Sequence, residues 1–224
     1  MYEAAHRLCK VDIKKKKPIE IEHIHILYEE LVQKSTSLTD LRTMIICLLG
    51  YSGFMRFSEL VEIRRCDVIF CHGYMKIFIE KSKTDIYRDG KWLYINACDS
   101  PCCPIKNLQR YFEKANIMDE NSEEFIIRAI TVFKRKKAEK LRPKNKPLSY
   151  TSAREYFLEA VKRLGLDISG LHSLRSGGAT AAANSGVPDR LFKRHGRWKT
   201  ENIKDGYVKD DIKSLLLVSK SLGL

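Results

Sequence analysis

Long hydrophobic runs are missing from this 224-residue sequence. The longest candidate, Met44 to Leu49, lies inside an amphipathic pattern and is far shorter than the roughly 18–20 residues that a transmembrane helix needs. The opening segment, MYEAAHRLCK, contains charges and a histidine where a secretory signal requires an apolar stretch. The sequence therefore predicts an intracellular protein that does not bind a membrane.

A disulfide framework is also absent. The sequence has seven cysteines, an odd number at irregular positions, which excludes a small secreted disulfide scaffold. Three of them cluster at Cys98, Cys102 and Cys103, but no second Cys/His pair follows at the spacing of a zinc site. Adjacent thiols also cannot easily both ligate one tetrahedral ion. The pattern favours reduced thiols in a loop over zinc ligands.

Acidic residues are the minority among the charged side chains. The sequence contains 41 Lys and Arg against 28 Asp and Glu, a net charge of +13 at pH 7. This surplus favours a polyanionic partner, of which nucleic acid is the commonest soluble one, although many basic faces are merely solvated. The local concentrations at Lys14–Lys17 and Lys134–Lys146 are either phosphate-binding surfaces, nuclear import signals or exposed loops.

The apolar pattern predicts a mainly helical domain with one small antiparallel sheet, an α+β arrangement. Helical spacing covers residues 19–33, 41–49, 56–63, 104–115, 150–164, 171–185 and 212–222. Strands are predicted at 67–70, 74–79 and 92–95, with turns at Gly73 and at Asp89-Gly90. Residues 118–148 are irregular and charged, which predicts a long connection. The small residues of 171–185 predict a tightly packed helix.

Four separated segments contain residue types that suit phosphodiester chemistry. They are GFMRFSEL from Gly53, KTD from Lys83, HSLR from His172, and GRW from Gly196, with Tyr207 nine residues after Trp198. Together they resemble the tyrosine recombinase (phage integrase) family. The pattern of that family is an Arg that opens a helix, a hairpin Lys, a His-x-x-Arg box, a His or Trp, and a Tyr nucleophile. All six positions are filled in order, by Arg56, Lys83, His172, Arg175, Trp198 and Tyr207.

The resemblance implies cleavage of a DNA phosphodiester. Arg56 and Arg175 would clamp both non-bridging oxygens, because guanidinium groups are fixed in charge and forked in geometry. Lys83 would protonate the departing 5′ oxygen as a general acid. Tyr207 would attack the phosphorus and hold it as a 3′-phosphotyrosyl ester, which conserves the bond energy for rejoining without ATP.

The remaining positions have supporting roles in the implied site. His172 would act as a base or a hydrogen-bond partner, and Trp198 would contact the phosphate through its single N–H donor. Glu59 lies three residues after Arg56 on the same helix face and would organise the site. His195 is close to Trp198, but its register, twelve residues before Tyr207, is wrong for the usual role. No step needs a metal or another cofactor, and the sequence lacks the convergent carboxylates of a magnesium site.

The resemblance also implies an organisation of the chain. It predicts a basic leader at residues 1–18 and a catalytic domain at 19–224 with the integrase catalytic fold, without the N-terminal clamp domain that the family usually carries. The partner would be double-stranded DNA, in the nucleus if the host is eukaryotic. The apolar segment 212–222 either packs on its own core or docks on a neighbouring protomer. Docking implies a homo-oligomer, a tetramer on DNA, and is compatible with a monomer without DNA.

Three functions are compatible with these features. The first is DNA strand cleavage and rejoining in site-specific recombination or integration, and the segments HSLRSGGATAAANSGVP and HGRWKT look most like enzymes of Crypton and DIRS-type eukaryotic mobile elements. The second is a domesticated DNA-binding module without catalysis. The third is nicking and resealing of the type IB topoisomerase kind. The intact set of six positions favours the enzymes.

Overall fold

Helices make up most of the structure, a computed structural model that describes residues 17–80, 90–133, 135 and 138–198. A π-helical turn (Glu29–Gln33) continues the first helix, and a 3-10 turn (Arg65–Asp67) precedes the first strand. The helices of the described residues are α1 (Ile21–Tyr28), α2 (Leu38–Ser52), α3 (Phe57–Leu60), α4 (Pro104–Ala115), α5 (Tyr150–Arg163), α6 (His172–Asn184) and α7 (Asp189–Gly196). None of them is both long and apolar enough to cross a bilayer.

The central helix is α2, which is buried along most of its length. The Ser37 hydroxyl caps it by accepting the backbone N–H of Asp40 at 3.2 Å. Its apolar residues face α1, α4, α5 and α6 at once, so the helix is surrounded by other elements rather than amphipathic in the usual sense. The end of α2 at Ser52 and Gly53 leads directly into the turn that carries Arg56.

A three-stranded antiparallel sheet packs beside the helices. Its strands are β1 (Val68–Cys71), β2 (Tyr74–Ile79) and β3 (Lys91–Asn96), with β2 in the centre. Alternation divides β2 into a buried face (Met75, Ile77, Ile79) and a solvent face (Tyr74, Lys76, Phe78). The predicted strands and the mainly helical fold class with a small antiparallel sheet are confirmed. Lys83 falls between β2 and β3, outside the described residues.

A second sheet corrects the prediction that residues 118–148 are an irregular connection. Strands β4 (Ile130–Phe133) and β5 (Ala138–Leu141) form a two-stranded antiparallel hairpin. The hairpin is tied to the start of α2, because the Glu139 carboxylate accepts the Ser37 hydroxyl at 3.0 Å and the Thr39 backbone N–H at 2.8 Å. Both strands are short and half-exposed, so their alternation is too weak to reveal them, and this tertiary contact carries no sequence signal.

Helix α6 packs closely on its neighbours through glycines, as its small-residue composition predicts. A methyl group at Gly177 would overlap the carbonyl oxygen of Ile19, and one at Gly178 would overlap the carbonyl oxygen of Tyr51. Both obstacles are backbone atoms, which cannot rotate away. The segment at Ile19 also donates its N–H to the carbonyl of Ser173 in α6 at 3.2 Å. Glycine is therefore required here for close approach of α6 to the α2 end.

We expect Gly178→Ala to lower the free energy of unfolding by about 1–3 kcal/mol, the usual cost of overpacking a filled core. The clash outweighs the roughly 1 kcal/mol by which alanine is intrinsically better than glycine in a helix. Urea denaturation measures the change. Ser176→Ala, two residues away on the same helix, is the matched control and should stay within about 0.5 kcal/mol of the parent. Equal stability of the two variants would contradict the packing argument.

Candidate active site

Three segments that are distant in the sequence meet where α2 ends. The turn at Gly53 and Phe54 follows α2, Arg56 caps the N-terminus of the short helix α3, Arg175 projects from the first turn of α6, and Arg197 terminates α7. These residues are up to 144 positions apart in the chain, as the hydrogen bond between Arg197 and Gly53 shows. The fold thus brings three of the four predicted segments to one place.

The carboxylate of Glu59 is the centre of this cluster, and its side chain is only 1% exposed. One oxygen accepts Arg56 Nη1 at 2.8 Å, and the other accepts Arg197 Nη2 at 2.8 Å and the Arg56 backbone N–H at 3.0 Å. Arg175 Nη1 lies 3.7 Å from the second oxygen. Burial on its own would raise the pKa of Glu59, but the charges of Arg197 and Arg175 outweigh it, so its pKa lies below the ordinary value. Glu59 is therefore ionised at neutral pH.

The cluster has an excess of positive charge. Among the residues that the structure describes, three guanidinium groups (Arg56, Arg175 and Arg197) surround one carboxylate, and these four side chains together carry a net charge of +2. Charges out of contact with water are screened weakly, so this excess produces a strong local field. A monoanionic or dianionic group is the natural complement of such a site, and a phosphodiester has that charge and offers paired oxygens to forked donors.

Sequence reasoning missed Arg197, which the structure makes a main component of the site. It adopts a left-handed backbone conformation (φ 56°) that ends α7. Its side chain is buried and donates to the carbonyls of Gly53 at 3.2 Å, His195 at 2.8 Å and Phe54 at 3.1 Å, besides Glu59. The adjacent Trp198 satisfies the family pattern at this point, so the sequence carried no signal that its neighbour is the buried cation.

Phe54 has a strained backbone that serves the arginines. Its φ of 46° lies in the left-handed region, which is rare for a bulky residue. In this conformation its carbonyl oxygen accepts hydrogen bonds from both Arg175 and Arg197. Its ring packs against the rings of Phe192 and His195, with centroids 5.8 and 4.6 Å away. These hydrogen bonds and ring contacts hold the turn in its strained conformation. The sequence did not predict this conformation.

The two predicted clamp arginines differ in accessibility. The Arg56 side chain is 15% exposed, whereas the Arg175 side chain is 0% exposed. Arg175 donates to the carbonyls of Phe54 and, at 2.8 Å, of Gly196, and its guanidinium carbon lies 5.0 Å from the centre of the Trp198 ring. Arg56 thus faces the surface, while Arg175 lies behind the indole.

Trp198 belongs to a small apolar cluster with Phe54, Ala179 and Phe192. Its ring centroid is 4.9 Å from that of Phe192 and 6.0 Å from that of Phe54. The indole therefore covers Arg175 and shields the arginine cluster from water on that side. The structure places Trp198 beside the site, in a packed orientation.

His172 is exposed at the start of α6, one helical turn before Arg175. It lies at the surface of the same helix that brings Arg175 into the cluster. Lys83 and Tyr207 lie outside the described residues, as do the leader up to residue 16 and the apolar segment 212–222. The structure therefore brings Arg56, Glu59, Arg175 and Trp198 together, and the roles given to the other positions stay predictions.

The three clustered cysteines lie between β3 and α4. Cys103 is buried, and its sulfur accepts the backbone N–H of Cys98 at 3.5 Å. Cys102 is half-buried, and Cys98 is exposed. Within the part of the chain that the structure describes, no group of three or more His, Cys, Asp and Glu side chains is arranged to hold a metal ion.

We expect Glu59→Gln to lower the free energy of unfolding by about 3–5 kcal/mol, since it leaves buried guanidinium groups without their counter-charge. Urea denaturation at pH 7 measures the loss. Glu62→Gln changes the same residue type at an exposed position nearby and should be neutral within about 0.5 kcal/mol. A Glu59→Gln protein that unfolds at the parent's urea concentration would show that the cluster does not depend on this carboxylate.

His195 makes stability depend on pH in a defined direction. Burial lowers its pKa below the ordinary value, and Arg197 and Arg175 lower it further, against the opposing effect of the Ser52 carbonyl. Its Nε2 lies 2.8 Å from that carbonyl oxygen, which can only accept, so Nε2 carries the proton of a neutral ring. Because the unfolded chain takes up a proton near pH 6.5 and the folded chain does so only at lower pH, stability falls as the pH drops below about 6.5.

We expect the parent protein to lose up to about 1 kcal/mol more stability between pH 7.5 and 5.5 than His195→Gln loses, within the limit of about 1.4 kcal/mol per pH unit for one proton. Urea denaturation at a series of pH values measures the two slopes. His72→Gln alters an exposed histidine in the turn between β1 and β2 and is the matched control. Identical slopes for the parent and His195→Gln would refute the assignment.

Known proteins resemble this chain in sequence and in fold. The sequence model of the phage integrase family matches residues 25–213. An integrase/recombinase XerD homologue of Selenomonas ruminantium is 30% identical to this chain in an alignment 196 residues long that covers 86% of this chain and 54% of that protein. The chain thus spans about half the length of this curated relative.

Solved structures share the fold. The XerH site-specific recombinase in a post-cleavage complex with its palindromic difH substrate has a TM-score of 0.69 at 14% identity, over 96% of this chain and 56% of that one. A lambda integrase dimer bound to a COC′ core site has a TM-score of 0.59 at 20% identity, over 91% and 51%. The Tn1549 transposon integrase in complex with circular intermediate DNA has a TM-score of 0.60 at 12% identity, over 97% and 74%. Identities this low establish the fold alone.

Proposed function

Because this chain belongs to the phage integrase family, we propose that it cuts and rejoins double-stranded DNA through a 3′-phosphotyrosyl intermediate on Tyr207. One observation carries the proposal. Three guanidinium groups converge on the buried carboxylate of Glu59, and the net charge of +2 that these four described side chains carry is suited to a phosphodiester in its transition state. Among the solved relatives, the Tn1549 transposon integrase is in complex with DNA, XerH with its difH substrate and lambda integrase with a COC′ core site, which supports the same substrate class.

The cleavage step is a transesterification. The phenolic oxygen of Tyr207 forms a bond to the phosphorus, and the bond from phosphorus to the 5′ oxygen breaks. Lys83 gives a proton to that departing oxygen, and His172 assists removal of the phenolic proton. Rejoining reverses these steps with a free 5′ hydroxyl as the nucleophile. The phosphotyrosyl ester keeps the energy of the broken bond, so the scheme requires neither ATP nor a metal ion.

The three arginines have different roles in stabilising the negative charge of the phosphate. Arg56 faces the surface and makes the first contact with a non-bridging oxygen, held in position by Glu59. Arg175 reaches the phosphate only after the Trp198 indole shifts, because it lies behind that ring. Arg197 contributes its charge from the interior and fixes Glu59 in place. The assignment extends the predicted pair of arginines to three.

The organisation of the active protein follows from the same proposal. Residues 19–224 supply the catalytic domain after a basic leader at 1–18, and the segment 212–222 docks on a neighbouring protomer to give a tetramer on DNA. In a eukaryotic host the protein would act in the nucleus. The segments HSLRSGGATAAANSGVP and HGRWKT support an origin in a Crypton or DIRS-type mobile element.

The test is a covalent trap. We expect nicked suicide duplexes from a randomised pool, incubated with the protein in EDTA and then denatured, to remain attached to the Tyr207 peptide in mass spectrometry. Tyr207→Phe should abolish the adduct, while Tyr150→Phe, which alters an exposed tyrosine on α5, should keep it. An adduct on another residue would overturn the assignment of the nucleophile. Salt-sensitive DNA binding without any adduct would identify a non-catalytic module instead.

A further inference from the structure

The solvent face of the three-stranded sheet is unusually aromatic. Tyr74 and Phe78 of β2 and Trp92 and Tyr94 of β3 lie on it, and we call these four residues the aromatic face. Phe78 pairs directly with Trp92, with ring centroids 5.2 Å apart, and the rings of Tyr74 and Tyr94 are 6.2 Å apart. Trp92 is 41% exposed and Tyr94 is 51% exposed.

This arrangement has features of a binding surface. Large aromatic rings grouped on the outside of a sheet are not needed for the core, because the opposite face of the same strands fills it. Lys76, which lies between Tyr74 and Phe78 on β2, places its Nζ 4.7 Å from the centre of the Trp92 ring. That cation–π contact orients the indole and sets a positive charge among the flat rings.

A basic cleft joins the aromatic face to the arginine cluster. It has a volume of about 340 Å³ between β3 and the end of α7, and its lining includes Lys91, Trp92 and Tyr94 on one side and Lys193, Arg194 and Arg197 on the other. The described side chains that line it include four cations and no carboxylate. Its charge therefore complements a phosphodiester backbone, and its size lies in the range of small-ligand clefts.

We propose that the aromatic face binds unpaired bases of a single DNA strand whose backbone passes through this cleft to the arginine cluster. The inference rests on the proposed function, in which a cut strand must leave its complement before it is rejoined to another. Exposed aromatic rings beside a basic groove are typical of single-strand binding sites, because every base offers a π face that can stack on such a ring. Bases inside a duplex cannot stack on the protein, since both of their faces are already covered.

Fluorescence anisotropy tests this proposal with a short labelled oligothymidylate and a hairpin duplex of the same length. Trp92→Ala and Tyr94→Ala should weaken binding of the single strand roughly 5- to 150-fold, the range for one stacked base. Both variants should leave duplex binding within about two-fold, and Trp92→Phe should restore most of the single-strand affinity. Phe133→Ala removes a 44% exposed ring from β4 and serves as the matched control.

Equal losses for duplex and single strand, or no loss for either variant, would overturn the inference. A matched oligouridylate that binds at least ten-fold more tightly than the DNA strand would replace it with an RNA site. The covalent trap separates this inference from the proposed function. If Trp92→Ala no longer binds oligothymidylate and still forms the Tyr207 adduct on a duplex, both this inference and the proposed function are supported. If the parent forms the adduct but does not bind oligothymidylate, only the proposed role of the aromatic face is refuted.

Discussion

The carboxylate of Glu59 holds the site together. Through it the helix cap at Arg56 and the end of α7 at Arg197 are fixed to one another by hydrogen bonds of 2.8 to 3.0 Å. Burial of a lone carboxylate costs several kcal/mol, and it is tolerated here because each oxygen has a cationic donor. Since the arginines also donate to the carbonyls of Gly53, Phe54 and Gly196, the charges set the backbone geometry as well as the electrostatics.

The apolar residues around the cluster strengthen its field. Phe54, Phe192 and Trp198 cover one side of the guanidinium groups, and they keep water from screening them. A cluster with excess positive charge is stable in such surroundings only because part of it reaches the surface at Arg56. That opening is also where an anion can approach. The packing of the aromatic rings, the excess positive charge and the access of an anion at Arg56 therefore all follow from the arrangement of side chains around Glu59.

Much of this could be predicted from the sequence. The pairing of Arg56 with Glu59 followed from helical spacing, and the close packing of α6 followed from its glycines. Arg197 could not be predicted, because burial of an arginine depends on carbonyls more than a hundred residues away. The β4–β5 hairpin was missed because the tie between Glu139 and the start of α2 is tertiary. The position of Arg175 behind the Trp198 ring could not be predicted either, because it is set by tertiary packing.

Helix α2 has a geometric consequence beyond its role in the core. The hairpin of β4 and β5 is fixed at its first turn through Glu139, and the arginine cluster lies at its last turn. Fifteen residues of helix extend about 22 Å at roughly 1.5 Å per residue. One strand of B-form DNA covers that distance in about six or seven nucleotides at roughly 3.4 Å each. The helix therefore fixes the distance between its two ends. A straight duplex that contacted both ends would be covered over at least about six or seven nucleotides of one strand.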